Sequence, residues 1–90
     1  MTKVTFKSNN ESKTTDFGLA VARITKKISL KRIEKDFNEH NKLLFVFDNS
    51  EKLQEITEAY WNHNLQVDAL EIQNNTKLLK NRLKEELRNG

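Results

Sequence analysis

The sequence predicts a small single-domain α+β protein, with elements in the order (β)-α-β-β-α-α, and three features carry that expectation. The chain has 90 residues, one domain's worth. Three stretches repeat apolar residues at the helical spacing of three and four. A single run, Leu43-Leu44-Phe45-Val46-Phe47, is apolar on both alternating faces, as a central strand requires.

The first 13 residues read as a flexible segment, with Ser8-Asn9-Asn10-Glu11-Ser12-Lys13 polar and without period, and the domain proper as 14–90. Val4-Thr5-Phe6-Lys7 alternates and is expected to add a short edge strand. The first helix is expected over about residues 16–27, capped by Thr14 or Thr15, with Asp16 suiting the positive end of its dipole. Phe17, Ala20, Val21, Ile24 and Ile28 form its buried stripe. Gly18 weakens a helix by roughly 1 kcal/mol relative to alanine, so its place in the first turn suggests close packing or a bend.

A β-hairpin follows. Ile28, Leu30, Ile33 and Phe37 break a strict period of two, which predicts a bulge near Lys31-Arg32, and Asn38-Glu39-His40-Asn41 reads as the turn. The second helix is expected to start at Asp48, whose spacing to Glu51 fits a capping box, with Leu53, Ile56, Ala59 and Tyr60 on the core face and Trp61 closing it. Asn62-His63-Asn64 breaks that helix. Asp68 and Glu71 repeat the capping spacing, and Ala69, Ile72, Thr76, Leu79 and Leu83 give a third helix its stripe.

Thr14-Thr15-Asp16-Phe17-Gly18-Leu19-Ala20, then Leu44-Phe45-Val46-Phe47-Asp48, then Ala59-Tyr60-Trp61 and Val67-Asp68-Ala69 form a pattern spanning roughly residues 14–85. It resembles an uncharacterised domain-of-unknown-function family of short proteins from bacteria, phages and plasmids. The resemblance carries no catalytic assignment. It implies a mobile genetic element as context, and with it a DNA-associated role.

No cysteine is present, so disulfides and thiolate metal or redox sites are excluded. The first residues lack the apolar core of a secretory signal and no run approaches a membrane span, so a cytoplasmic, membrane-independent protein is expected. His40 and His63 are the only histidines, and no nucleophile, phosphate-loop or zinc-protease spacing occurs. Asp36, Glu39 and His40 are better explained as a solvated turn than as metal ligands. No enzyme activity, cofactor or metal is expected.

Charge is arranged in stripes. Residues 23–36 hold six basic against two acidic groups, residues 48–71 hold six acidic against one basic, and residues 77–88 hold five basic against two acidic. Together with the context the resemblance implies, this makes DNA, double-stranded by preference, the expected partner. Arg23, Lys26 and Lys27 at the end of the first helix, with Lys31, Arg32, Lys35 and Lys42 on the hairpin, are the expected contacts. The basic third helix adds Lys77, Lys80 and Arg82, together with Lys84. The order is compatible with a winged helix-turn-helix variant whose hairpin is the wing. The expected role is an accessory or regulatory factor in transcription or at a conjugative transfer origin. Lysines also suit helix C-termini and exposed strand edges without any partner. The alternative is a protein-interaction module acting through the C-terminal helices, because Leu78 and Leu87 lie off the core stripe. A homodimer, with the acidic second helix of one copy on the basic surface of another, is a further expected partnership, as is a protein of the same element.

Overall fold

A computed structural model describes residues 10–35 and 42–89. The strand expected at residues 4–7, the turn at 38–41 and the cluster Asp36, Glu39 and His40 lie outside the described residues. The elements are β1 (Glu11–Thr14), α1 (Phe17–Thr25), β2 (Leu30–Lys35), β3 (Leu43–Asp48), α2 (Glu51–Trp61) and α3 (Ala69–Asn89). Their order is the expected one. The edge strand, however, is built from Glu11–Thr14, three of whose residues were expected to be loose.

The sheet order is β1-β3-β2, with both outer strands antiparallel to β3. β1 and β2 therefore run parallel on either side of β3, and α1 is the crossover between them, a split βαβ unit. The two-sided apolar run does occupy the central strand. The β2–β3 register shifts between Leu30 and Arg32, a bulge at Lys31 where the broken period predicts one.

Opposed residues share a sheet face, so Phe45 and Phe47 lie on one side and Leu44, Val46 and Asp48 on the other. The three helices cover the phenylalanine side. Ala20 and Val21 of α1, Leu53 of α2 and Leu79 of α3 meet Phe45 and Phe47 in one core, rimmed by Phe17, Ile24, Ile28, Leu30, Ile33, Ile72 and Leu83. α1 packs against both α2 and α3 and is buried along most of its length, which explains its near-continuous apolar sequence. Trp61 does not close the core: it is exposed at the end of α2, its ring edge-on to Tyr60.

The caps show what spacing alone missed. Asp16 itself is the N-cap of α1, its Oδ1 accepting from the Leu19 N–H at 2.9 Å, while Thr14 Oγ1 accepts from the Asp16 N–H. Ser50, not Asp48, caps α2, because Asp48 still belongs to β3 and Ser50 Oγ accepts from the Leu53 N–H at 3.0 Å. At α3 the expected cap holds, with the Glu71 N–H donating to Asp68 Oδ2.

Both α1 and α2 end in Schellman turns. The Ile28 N–H reaches the Arg23 carbonyl at 2.9 Å and the Asn64 N–H reaches the Ala59 carbonyl at 2.8 Å, with Lys27 (φ 74°) and His63 (φ 60°) in the left-handed position usually held by glycine. Gly18 is explained by close packing: a Cβ there would lie 2.6 Å from Tyr60 Oη, which also hydrogen-bonds Asp16 Oδ1. The contact ties the start of α1 to the end of α2, and burial with the Asp16 carboxylate pushes the Tyr60 phenol up from its ordinary pKa.

Candidate nucleic-acid interface

The hairpin's basic residues are the first candidates, and most are engaged within the molecule. On the sheet face away from the helices, Arg32 donates through Nη1 and Nη2 to both Glu11 oxygens at 2.9 and 2.8 Å, and through Nε to Glu34 Oε2 at 2.7 Å. Lys13 pairs with Glu34 at 3.1 Å, and Lys31 bridges Glu11 at 2.8 Å and Asp48 at 3.1 Å. Three cations and three anions thus form a neutral lattice from β1 across β3 to β2. Val46 lies between its register partners Lys13 and Arg32, and is 0 % exposed. Among the described residues no helix covers this face, and the aliphatic stems of the ion-paired side chains lie over it.

The electrostatics agree. Hydrogen bonds from Arg32 and Lys31 hold the Glu11 carboxyl down at about 2, and Lys13 and Arg32 lower Glu34, while Lys31 and Arg32 are raised by the same carboxylates. Stability from Glu11 is therefore fully present above the unfolded value of 4.5 and is lost as pH falls towards about 2. The raised Lys31 contributes fully below the ordinary lysine value of 10.5 and is lost as pH rises from there through its folded value. Denaturant midpoints followed by circular dichroism should be level between about pH 5 and 10, and drop below pH 4.5 less steeply in a Glu11→Gln variant than in the parent. Equal acid slopes for the two proteins would show that the lattice does not form in solution.

The end of α1 divides. Arg23 is a correction: only 3 % exposed, it lies 5.1 Å above the Phe47 ring and donates to Thr57 Oγ1 at 2.9 Å, so it does not face solvent. Its Nε and Nη1 are buried without a partner among the described residues, and burial lowers its pKa. Lys26 donates to the Gln66 carbonyl at 3.2 Å. Lys26, Lys27 and Lys52 line a shallow cleft shared with Asp68 and Glu71, which offset their charge. Lys35 and Lys42, exposed near the far end of the hairpin, also interact with neighbours.

α3 differs. Its buried side carries Ile72, Leu79 and Leu83 against α1 and β3. Lys77, Lys80, Lys84 and Arg88 follow one another at steps of three, four and four, which places them on one exposed stripe. Glu71, Glu85 and Glu86 lie round the helix from Lys77, Lys80 and Lys84, and the one ion pair found on α3 among the described residues is Arg88–Glu85, at 4.0 Å. Arg82 leaves the stripe and lines a groove with Ile24, Leu30 and Leu78 on the opposite flank. Arg88 is not among the expected contacts and joins the stripe here. The signal that finds it is the stripe spacing rather than the basic composition of the segment.

The described residues contain no group of three or more metal-ligating side chains and no helix long and apolar enough to cross a membrane. His63 is exposed at the end of α2.

The fold and surface define a small two-layer α+β domain: three helices on one side of a three-stranded sheet, and a self-neutralised lattice on the other. Residues 9–85 match the model of a domain of unknown function (DUF5659), and the chain belongs to that family. No curated protein and no solved structure matches the chain.

Proposed function

We propose that this domain is a small DNA-binding accessory or regulatory protein of a mobile genetic element, and that it contacts duplex DNA through the α3 stripe. The observation that carries this is the exposed run Lys77, Lys80, Lys84 and Arg88, in which only Arg88 has an ion-pair partner among the described residues and which covers about 16 Å of helix axis at 1.5 Å per residue. Duplex DNA carries a negative charge every ~1.7 Å of its axis, so such a run meets phosphates wherever it docks. A wing-like insertion of the hairpin is less favoured, because Lys31 and Arg32 would have to give up Glu11, Glu34 and Asp48 first. The mobile-element setting rests on the sequence resemblance, and no catalytic role is assigned.

A second reading, an adaptor or inhibitor acting through α2 and α3, is favoured by Trp61, Leu70, Leu78 and Leu87, which are 57–66 % exposed in the single chain.

Fluorescence anisotropy with labelled duplex DNA across a salt series tests the proposal. Four phosphate contacts predict a slope of log K against log salt of about −3.6, and Lys77→Glu/Lys80→Glu/Lys84→Glu should reduce it by about 3 or abolish binding. Lys31→Ala should leave the slope unchanged. No binding at low salt, or a loss caused by Lys31→Ala alone in a folded protein, would overturn the assignment to α3.

A further inference from the structure

α2 carries the opposite charge to α3, in a matching pattern. Glu51, Glu55 and Glu58 follow one another at steps of four and three on its exposed side, opposite Leu53 and Ile56. α2 and α3 both pack against α1, and both run antiparallel to it. Tyr60 at the end of α2 reaches Asp16 at the start of α1, and Thr57 meets Arg23. Asn75 near the start of α3 bonds Thr25 at the end of α1, while Leu83 and Leu87 share a groove with Phe17. The acidic and basic helices are therefore parallel to each other.

Two copies related by a two-fold axis across the helices set α2 of one antiparallel to α3 of the other. In that register Glu51 meets Lys84, Glu55 meets Lys80 and Glu58 meets Lys77, so all three acidic positions find a basic one. The parallel register pairs only two of them and sets Glu55 against Asn81. Trp61 is exposed beside the acidic ridge, at the edge of this contact.

We propose that a second copy of this chain docks its α2 ridge on the α3 stripe, so that self-association and DNA compete for Lys77, Lys80 and Lys84; the competition, though not the self-association, rests on the DNA reading above. With a two-fold axis across the helices the contact is isologous: each copy offers its α2 to the other's α3, and the pair closes. Exposed ion pairs are individually weak and screened by salt, so association is expected to be weak and strongly salt-dependent.

Sedimentation velocity on the full chain tests this, with the emission of Trp61, the sole tryptophan, as a local probe. At low salt the weight-average mass should rise with concentration and the Trp61 emission move to shorter wavelength. Raising salt to about 0.3 M should weaken association roughly tenfold or more. Glu51→Lys/Glu55→Lys/Glu58→Lys and Lys77→Glu/Lys80→Glu/Lys84→Glu should each be monomeric alone, and an equimolar mixture of the two should associate again. Recovery in the mixture shows that both variants are folded and that the two stripes meet. A wild type that stays monomeric at low salt and high concentration overturns the proposal, as does association that persists in either variant alone. Duplex DNA should disperse the wild-type assemblies. Assemblies that form as described but ignore DNA leave the α2–α3 docking in place and overturn only the competition.

Discussion

Phe47→Ala should be the most damaging single truncation in this domain, with a loss of about 3–5 kcal/mol. Phe47 is 0 % exposed on the central strand, opposite Leu30 on β2 and Ser12 on β1. α1 and α2 close over it, with Arg23 5.1 Å above its ring, and it belongs to the core cluster that also takes in Leu79 of α3. The cavity left by its removal borders several elements at once, so no single side chain can collapse into it. A domain of this size has a total stability of order 5–13 kcal/mol, so the variant should lose much of its margin. The urea midpoint should fall steeply with little change in slope. Leu87→Ala, at an exposed site on α3, should shift stability by no more than about 0.5 kcal/mol in the monomer. A Phe47→Ala loss below 1 kcal/mol would place the core elsewhere.

The parts of the fold legible in the sequence were those set by local period. The two-sided run Leu43–Phe47 could only be a strand with neighbours on both sides, and it is central. The broken alternation at Lys31-Arg32 could only be relieved by an extra residue, and the bulge is there. Gly18 signalled close packing or a bend, and the close packing of Tyr60 Oη accounts for it. Caps were less legible because several polar residues stand before each helix. Asp48 and Ser50 both fit as the cap of α2, and the length of β3 decides between them. Trp61 looked like core because it follows Tyr60 in an apolar stretch, yet one further step along the helix carries it off the buried face.

The charged surface was least legible, because the sequence shows which residues are basic and not which acids they meet. Glu11 lies in a stretch that reads as loose, 20 residues before Lys31 and 21 before Arg32, and only the β1–β3 pairing brings it across the sheet to both. That long-range pairing makes Lys31 and Arg32, two of the expected DNA contacts, part of a neutral face. On α3 the periodicity is local, so the stripe of Lys77, Lys80, Lys84 and Arg88 follows from spacing alone, and the separation of Arg82 from it follows by the same rule.

Arg23→Met should hold or raise stability, by up to about 1–3 kcal/mol, while leaving DNA affinity unchanged. Arg23 is a buried cation with one hydrogen bond, to Thr57 Oγ1, and no carboxylate in contact among the described residues. Desolvating such a charge costs several kcal/mol, and the Phe47 ring returns only part of that. Methionine keeps an unbranched stem over the ring and removes the charge. Thr57 is not stranded by the change, because its hydroxyl still donates to the Leu53 carbonyl at 2.8 Å. Arg23→Ala removes the packing along with the charge and should lie below Arg23→Met in urea midpoint, so the pair separates the worth of the stem from the burden of the guanidinium. The same variant discriminates between the two basic regions of the chain. If α3 is the DNA surface, Arg23→Met binds duplex DNA with the parent's affinity and salt slope. If a folded Arg23→Met protein loses affinity instead, then α1 must open to present Arg23 to phosphate, and its unpaired buried charge is held for binding rather than for the fold.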